Sequence, residues 1–490
     1  MSTHRILLGA AVVALTATAV ACNTDKLTDL NNNPNAPTQV QAEQLFTDGA
    51  TQAMFYLRGS SFEHGLNALW VQHYAEVQYP EADQNKPRAA TIEGLWNTLY
   101  AIPLEDLQAA ITKGADRPGI WGPALVMRSA VFQEITDLWG DIPYTDALRG
   151  DAGSAAVLSP KYDPQSVVYD SLFKALTSAA TALKTAPNSY GGADPVYSGD
   201  PAKWAKLANS LRLRLAMRLS KVDPARGKTE LLAALAAGPM TSNADNAAVV
   251  WPGGVNTNPL YQNWIDLGGG TRDDQRLSKT FVDTLNLTND PRIAVYAQPT
   301  DSSQACPTPG CYPEFVGAPN GVLANSIPLP TASRPGEIIR EATSPSDIMR
   351  YDEVLFIRAE AAQLGWTTEN AATLYTQAIT ASMQRWGVSA GDIAAYLAQP
   401  AVVYNPAIGL KQIAYQKWVA LFNEEIEAYS EWRRSGVPVL TPGPKAAFNT
   451  VPRRLTYPDL ENSLNKANVT AATTAQGGAA LTNRVWWDKP

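Results

Sequence analysis

The chain has 490 residues, enough for one large domain or for two to three domains of ordinary size. Apolar residues make up 45% and permit a sizeable core, whereas charged residues make up only 17%, below the roughly 25% typical of soluble domains. The formal net charge is −7, and no cluster of lysine and arginine interrupts this acidic character. Because an acidic chain repels phosphate backbones, the composition argues against nucleic-acid binding.

The first residues, MSTHRILLGAAVVALTATAVAC, have the pattern of an export signal. Arg5 supplies the basic start, Ile6–Val20 is apolar, and small residues precede Cys22. At 15 residues the apolar run is shorter than the about 20 that a membrane span needs. A cysteine after such a signal is the lipid acceptor of bacterial lipoproteins. We therefore expect removal of residues 1–21 and attachment to a membrane only through lipid on Cys22; the alternative is an ordinary secretory signal followed by a chance cysteine.

Residues 22–40 are rich in Asn, Pro, Thr and Asp and poor in apolar side chains. Such a stretch buries too little surface to fold alone, so it is expected to be a flexible tether. Residues 41–490 are then expected to form a single domain.

Helical periodicity dominates the first half of that domain. Leucine recurs at every fourth position from 207 to 219, as in a helix packed within a helical array. Arg212, Arg214 and Arg218 of the same helix are expected to meet nearby acids or carbonyls. The predicted helices span residues 42–58, 66–77, 92–107, 121–138, 166–184 and 204–219.

Gly, Pro, Asn and Thr dominate residues 240–345, which predicts a loop-rich region with short strands. Long irregular loops inside a compact protein usually serve a function. Cys306 and Cys311 lie there, separated by the turn-forming sequence PTPG. In an oxidising envelope we expect them to form a disulfide; two free thiols are the alternative.

Helical patterns return between residues 351 and 436, and part of this region resembles a tetratricopeptide unit. Ala359 takes the small position of the first helix, while Ala371, Tyr375 and Ala378 take the small, aromatic and small positions of the second. We therefore predict a diverged array of helix pairs.

Segments spread along the whole mature chain share one further property, which is their order. They are LTDLNNNPNAPT near the start, TDLWGDIPYTDAL at 136–148, KWAKLANSLRLRLAMRLS at 203–220, NDPRI at 289–293, YDEVLFIRAEAAQLGW at 351–366 and EEIEAYSEWRRSGVP at 424–438. Together they resemble the SusD/RagB family of nutrient-binding outer-membrane lipoproteins, in its SusD-like subgroup.

The resemblance implies a mainly α fold, with a helical body of tetratricopeptide-like pairs and a loop-rich ligand face. It also implies a lipid-anchored protein on the surface of the outer membrane. The expected partners are a SusC-type TonB-dependent transporter and an oligosaccharide, or in some members a peptide.

Nothing in the sequence indicates catalysis, a metal or a cofactor. His64 and His73 have no metal-ligand spacing, and no nucleophile or phosphate-binding motif is present. The prediction is a binding protein rather than an enzyme. Two alternatives stay open: a surface glycan hydrolase, since any two of the 46 acidic residues can meet in space, and a scaffold for protein contacts alone.

Aromatic side chains in the predicted loops are the best candidates for ligand contact. The chain has 13 Trp and 19 Tyr against 10 Phe, and flat aromatic rings suit stacking against sugars, whose hydroxyls need amides and carboxylates. The candidates lie on the loop after an early helix and on the central loops. They are Gln78, Tyr79, Tyr261, Asn263, Trp264, Tyr312 and Phe315.

Overall fold

The computed structural model describes most of the chain: residues 40–59, 63–150, 158–187, 190–267, 269–270, 272–301 and 314–490. Residues 1–39 and four residues with predicted roles lie outside this part: Cys22, Cys306, Cys311 and Tyr312. Acylation and the disulfide therefore stay predictions. Ala42–Pro490 forms one compact unit.

The described residues fold mainly into α-helices, as predicted. In chain order they are α1 (Ala42–Leu57), α2 (Ala68–Trp70), α3 (Ala89–Leu99), α4 (Glu105–Lys113), α5 (Pro118–Trp139), α6 (Gln165–Leu183), α7 (Pro201–Arg218), α8 (Pro224–Ala237), α9 (Lys279–Leu287), α10 (Ile293–Tyr296), α11 (Glu337–Arg340), α12 (Tyr351–Gln363), α13 (Ala371–Arg385), α14 (Ala390–Leu397), α15 (Gly409–Ala420), α16 (Glu425–Ser435), α17 (Asp459–Leu464) and α18 (Lys466–Ala475). Short 3₁₀ turns span Gly191–Ala193, Asn243–Asp245, Tyr261–Asn263, Ile265–Leu267, Leu329–Thr331 and Pro406–Ile408.

Short strands fasten the central loops to the helical body. The strand β1 pairs antiparallel with β3, with Tyr74 opposite Leu277. Similarly β2 pairs antiparallel with β4, with Ala247 opposite Met349. The first pairing ties the central region to the start of the domain, and the second ties it to the segment before α12. The strands are β1 (Tyr74–Glu76), β2 (Ala247–Val249), β3 (Gln275–Leu277) and β4 (Ser346–Met349).

The helix α7 shows how local sequence sets its bounds. The Asp200 carboxylate accepts hydrogen bonds from the amides of Ala202 at 2.9 Å and Lys203 at 3.2 Å, and Pro201 fills the first helical position. The leucines that recur every fourth residue lie in the core. The helix therefore begins at a side-chain cap and is held by one apolar face.

Two predicted helices are wrong in detail. The predicted helix 66–77 ends after α2, because Gln72 takes a left-handed φ of 58° and the chain turns into β1. The predicted helix 92–107 is divided between α3 and α4 by a π-helical turn, Tyr100–Leu104. That turn contains Pro103, which has no amide hydrogen to donate to the helix ladder.

The pair α12 and α13 corresponds to the predicted tetratricopeptide-like unit. Ala359 and Ala378, assigned from sequence to small positions, are both fully buried where the two helices pack. The Tyr375 hydroxyl donates to the carbonyl of Val402 at 3.0 Å. Small side chains thus let the helices approach, while the tyrosine anchors the following segment.

A network of buried arginines and carboxylates joins the helices of the body. Arg214 of α7 pairs with Glu353 of α12 at 2.6 Å, and Arg218 pairs with Glu427 of α16 at 2.5 Å. All four side chains are at most 2% exposed. The prediction that the α7 arginines meet nearby acids is confirmed for these two.

The network continues into α16 and the segment before α12. Arg434 pairs with Glu360 at 2.6 Å and with Glu431 at 2.8 Å. Arg350 pairs with Glu424 at 2.9 Å. Burying an unpaired charge is very costly, so each of these side chains depends on its partners to remain inside the protein.

The C-terminal segment closes this network from one side. The indole of Trp487 is fully buried, and its Nε1 donates to Asp137 Oδ1 at 2.8 Å. The guanidinium of Arg433 lies 4.7 Å from the Trp487 ring and 4.1 Å from the Tyr429 ring. The end of the chain is therefore part of the core.

Burial affects the carboxyl groups of the network unequally. It raises the pKa of Glu424 to about 8 and the pKa of Glu427 to about 7, against the attraction of neighbouring arginines. Although burial also disfavours charge on Glu353, Arg214 and Lys417 hold its pKa below the ordinary value. Near neutral pH the network thus keeps Glu424 protonated and Glu353 charged.

Replacing Arg218 by Met should lower the free energy of unfolding by about 3–5 kcal/mol, because it leaves buried carboxylates without their cation. Chemical denaturation followed by circular dichroism measures the change. Lys279→Met is the matched control: it breaks an exposed ion pair to Asp283 and should cost no more than about 1 kcal/mol. Equal effects of the two substitutions would contradict the role of the network.

Glu424→Gln should change how stability depends on pH. The Glu424 pKa is about 8 in the folded protein against an ordinary value of 4.5. Between these values the folded state holds a proton that the unfolded state releases. The stability due to this proton is therefore full below 4.5 and is lost as pH rises through 8. In urea titrations, the unfolding free energy of the parent protein relative to Glu424→Gln should fall with rising pH over that interval; a constant difference would contradict the assignment.

Candidate functional site

Three open clefts share walls and form one continuous groove beside α1 and α3. The carboxyl cleft, with a volume of 320 Å³, contains Glu76, Tyr79 and Arg272. It shares Thr91 with the central cleft of 500 Å³. The central cleft in turn shares Phe55 with the helix cleft of 790 Å³, and Gln262 lines both as well. The groove defined by these clefts is the largest continuous candidate site among the described residues.

The helix α1 supplies one long wall of the groove. Its residues at i, i+3, i+4, i+7, i+8 and i+11 share one helix face, and this face lines the helix cleft. The opposite face is buried in the core, including Phe46, Ala50 and Leu57. An amphipathic helix thus presents a row of polar side chains to the groove. These groove residues are Gln44, Thr47, Asp48, Thr51, Gln52 and Phe55.

Ion pairs organise the carboxyl cleft. The pairing of β1 with β3 brings Glu76 beside the segment that carries Arg272 and Asp274. The Arg272 Nε donates to Asp274 Oδ1 at 2.7 Å, and its Nη2 also donates to Glu76. The same guanidinium lies 5.5 Å from the ring centroid of Tyr79, which is 53% exposed. Arg272 therefore holds two carboxyl groups on one side and supports an open aromatic ring on the other.

The two carboxyl groups around Arg272 differ in protonation. Burial raises the pKa of Glu76 to about 8. Although burial opposes it, hydrogen bonds from Arg272 and Glu76 lower the pKa of Asp274. Burial also raises the pKa of the nearby Asp83 to about 7. At neutral pH the floor of the cleft thus contains a protonated carboxyl, which can both donate and accept hydrogen bonds.

Glycines shape the loop that separates the clefts. A Cβ on Gly269 would lie 1.9 Å from the carbonyl oxygen of Tyr261, and one on Gly270 would lie 2.2 Å from the carbonyl carbon of Asn263. Only glycine allows this close approach of backbone to backbone. The folded loop keeps Asn263 in the central cleft and leads directly to Arg272.

The structure brings three of the sequence candidates into the groove. Gln78 and Tyr79 line the carboxyl cleft, and Asn263 lines the central cleft. Tyr261 is half-buried against the glycine loop and lines none of the three clefts.

The remaining described candidates have core contacts. Trp264 is 1% exposed, and the guanidinium of Arg340 lies 4.9 Å from its ring. Its ring is therefore covered and offers no face for stacking. Phe315 is half-buried and packs against the same apolar cluster.

Several groove residues were not predicted from sequence. Glu76, Arg272 and Asp274 come together only through strand pairing, which no local motif indicates. Tyr56 and Gln262 join the central cleft from two segments far apart in the chain. The polar face of the first helix was the available signal, since its pattern identifies the side that faces away from the core.

The two histidines lie in the core rather than in the groove. Burial lowers the pKa of His64 to about 4. His73 Nδ1 lies 2.6 Å from Glu425 Oε2, and both side chains are fully buried. Among the described residues no cluster of His, Cys, Asp and Glu is arranged to hold a metal ion. Within the same part of the chain, no helix combines the length and apolar character of a membrane span.

A helical body with helix pairs, and a groove formed by one polar helix face and central loops, defines a class of helical proteins with a loop-built face. Residues 34–458 match the SusD-like family model described as "Starch-binding associating with outer membrane". The chain belongs to this SusD-like family. No curated protein sequence matches it significantly.

Solved structures share the fold over almost the whole chain. One described as a chitin-binding protein is 30% identical, with a TM-score of 0.79, covering 91% of this chain and 98% of its own. A Bacteroidetes SusD-like structure, AC2a, is 25% identical, with a TM-score of 0.80 and coverages of 92% and 100%. A chitin-binding SusD homolog from Flavobacterium johnsoniae is 25% identical, with a TM-score of 0.78 and coverages of 90% and 98%.

The exposure of two aromatic candidates predicts opposite effects on stability. Trp264→Ala should lower the free energy of unfolding by about 3–5 kcal/mol, as for other large core side chains. Tyr79→Ala removes a half-exposed ring and should cost about 1 kcal/mol or less. Urea denaturation of both variants provides the comparison. A larger loss of stability for Tyr79→Ala would contradict the placement of these rings.

Proposed function

We propose that this protein is a surface lipoprotein that captures an oligosaccharide in the groove and delivers it to a SusC-type TonB-dependent transporter. The observation that carries the proposal is the continuity of the three clefts, because a continuous open groove suits a chain of sugar units. The α1 wall alone, from Gln44 to Phe55, extends about 16 Å. A single monosaccharide would occupy only part of it.

The chemistry of the groove supports a neutral, hydroxyl-rich ligand. Tyr79 offers an open ring for stacking, and Arg272 holds that ring from one side. Amide and hydroxyl side chains follow along α1, with Gln262 and Asn263 opposite them. Because Arg272 is already paired with carboxyl groups, the carboxyl cleft does not favour a strongly anionic ligand.

The family and the two chitin-binding relatives further support a glycan as the ligand. A peptide is the second candidate, since backbone amides could use the same amide and carboxyl partners. A surface glycan hydrolase is the third. Calorimetry with oligosaccharide and peptide mixtures, run beside an assay for new reducing ends, separates them. Oligosaccharide binding without cleavage supports the proposal, and either peptide selectivity or new reducing ends would overturn it.

Tyr79→Ala should weaken oligosaccharide binding by about 1–3 kcal/mol, by analogy with the stacking of bases on aromatic side chains. Tyr79→Phe is the matched control, because it keeps the ring and removes only the hydroxyl. Titration calorimetry of the three proteins with chitin oligosaccharides and with starch oligosaccharides measures the effect. Unchanged affinity in Tyr79→Ala would exclude this ring from the ligand site.

Cys22→Ala should abolish acylation and release the mature protein from the membrane. Several acyl chains hold a protein stably at a bilayer, whereas the described part of the chain offers no spanning helix. Cell fractionation with a salt wash measures the outcome, and Ser2→Ala, within the predicted signal, is the control. A Cys22→Ala protein that stays in the washed membrane fraction would contradict lipid anchoring.

The transporter partnership has its own test. Purification of the native membrane complex through a tag on this protein should recover a TonB-dependent barrel. If no such barrel accompanies the protein and the isolated protein still binds oligosaccharide, capture stands and delivery fails. If neither is observed, the proposed function fails although the fold is that of the family.

A further inference from the structure

A second cleft, away from the groove, contains an arginine that faces no acid. This arginine cleft, with a volume of 450 Å³, lies between α4, α5, α6 and the segment after α5. Arg128 of α5 lies at its inner end, and Arg149 lies at its exposed end. Its other polar lining residues are Gln108, Tyr144, Thr145 and Ser171.

The contacts of Arg128 are all with neutral groups in the part of the chain that the structure describes. Its Nη1 donates to Gln108 Oε1. The Tyr144 hydroxyl is its other side-chain partner. Its Nε is buried without a hydrogen-bond partner. Burial accordingly lowers the pKa of Arg128, opposed only by Tyr144.

This environment differs from that of the other arginines buried within helices of the body. Arg214, Arg218 and Arg434 each lie within 2.6 Å of a carboxylate oxygen. A buried cation without an anion is costly, and these helices meet that cost by pairing. At Arg128 the cation instead borders a space that a ligand can enter.

The segment after α5 brings the second arginine to the same cleft. Leu148 takes a left-handed φ of 59°, which is unfavourable for a leucine and turns the chain at this point. Arg149 follows directly, with its side chain 58% exposed and 3.7 Å from Asp146. Such a long, exposed ion pair holds Arg149 weakly, so the guanidinium remains available.

The walls of the cleft favour an anion further. Phe132, Ala147 and Leu148 contribute apolar surface, which reduces screening by water. The hydroxyls of Thr145 and Ser171 add possible hydrogen-bond donors. The planar guanidinium group matches the geometry of carboxylate, sulfate and phosphate oxygens.

We propose that the arginine cleft is an oxyanion-binding site, separate from the groove, that takes a carboxylate, sulfate or phosphate group of a small ligand. Arg128 binds the oxyanion at the inner end, and Arg149 attracts it from the surface. The site stands independently of oligosaccharide capture, because none of its lining residues belongs to the groove.

Titration calorimetry of the purified protein at constant ionic strength tests this site. The probes are inorganic phosphate, inorganic sulfate and glucuronate, with glucose as the neutral control. Binding of phosphate or sulfate identifies a tetrahedral oxyanion, and binding of glucuronate alone identifies a carboxylate on a sugar. If none of the three anions binds, the proposal is overturned.

Variants place the binding at the cleft. Arg128→Gln should weaken anion binding more than about tenfold, since it removes a charged hydrogen-bond donor. Arg149→Gln, which changes an exposed side chain and keeps the fold, should weaken it about two- to five-fold. Arg117→Gln, the same change at an exposed pair elsewhere, should have no effect.

Circular dichroism first establishes that each variant is folded. Should Arg128→Gln unfold, Arg149→Gln and Ser171→Ala carry the test. Anion binding that is unchanged in every folded cleft variant, or equally weakened in Arg117→Gln, would overturn the proposal. Tyr79→Ala should leave anion binding unchanged, which distinguishes this site from the groove.

Discussion

The buried ion network between α5, α7, α12 and α16 is the constraint on which the rest of the structure depends. Its arginines and carboxylates are fully enclosed, so each helix can sit only where its charges meet their partners. Apolar packing tolerates small shifts between helices, whereas buried hydrogen-bonded charges do not. The network therefore sets the relative positions of helices that are more than 200 residues apart in the chain, as with Arg218 and Glu427.

The groove inherits its geometry from this arrangement through a single arginine. Arg58 follows α1, and its guanidinium pairs with Glu134 of α5 at 2.6 Å and donates through Nε to the carbonyl of Asp347 at 3.0 Å. Asp347 pairs in turn with Arg350, which belongs to the network. The end of the helix that forms the groove wall is thus fixed to the rigid body, while the opposite wall is a loop shaped by glycines.

Sequence patterns predicted the helical body well because its helices have apolar faces and recognisable ends. The regular leucines of α7 and the small residues of α12 and α13 lie where the patterns put them. The pattern failed around Gln72 and Pro103, where backbone conformation rather than hydrophobic spacing decides the structure. Burial patterns also cannot show which of several half-polar residues begin a strand.

The site was harder to predict because its parts come from separate segments. Tyr79 was identifiable as an aromatic residue beside amides, but its support by Arg272 requires the pairing of β1 with β3. Trp264 has the same local composition around it, yet the fold covers its ring with Arg340. A one-residue view of loops therefore finds candidates, and only tertiary contacts separate exposed rings from buried ones.

The division of α1 into two faces has a consequence for how such proteins diversify. Its inward residues and Arg58 are bound to the body, whereas Gln44, Thr51 and their neighbours contact only the open groove. Substitutions on the outward face can thus alter the hydrogen-bonding pattern offered to a ligand without disturbing the charges that hold the helices. New specificities can arise along this helix at little cost in stability, which allows one scaffold to serve many different nutrients.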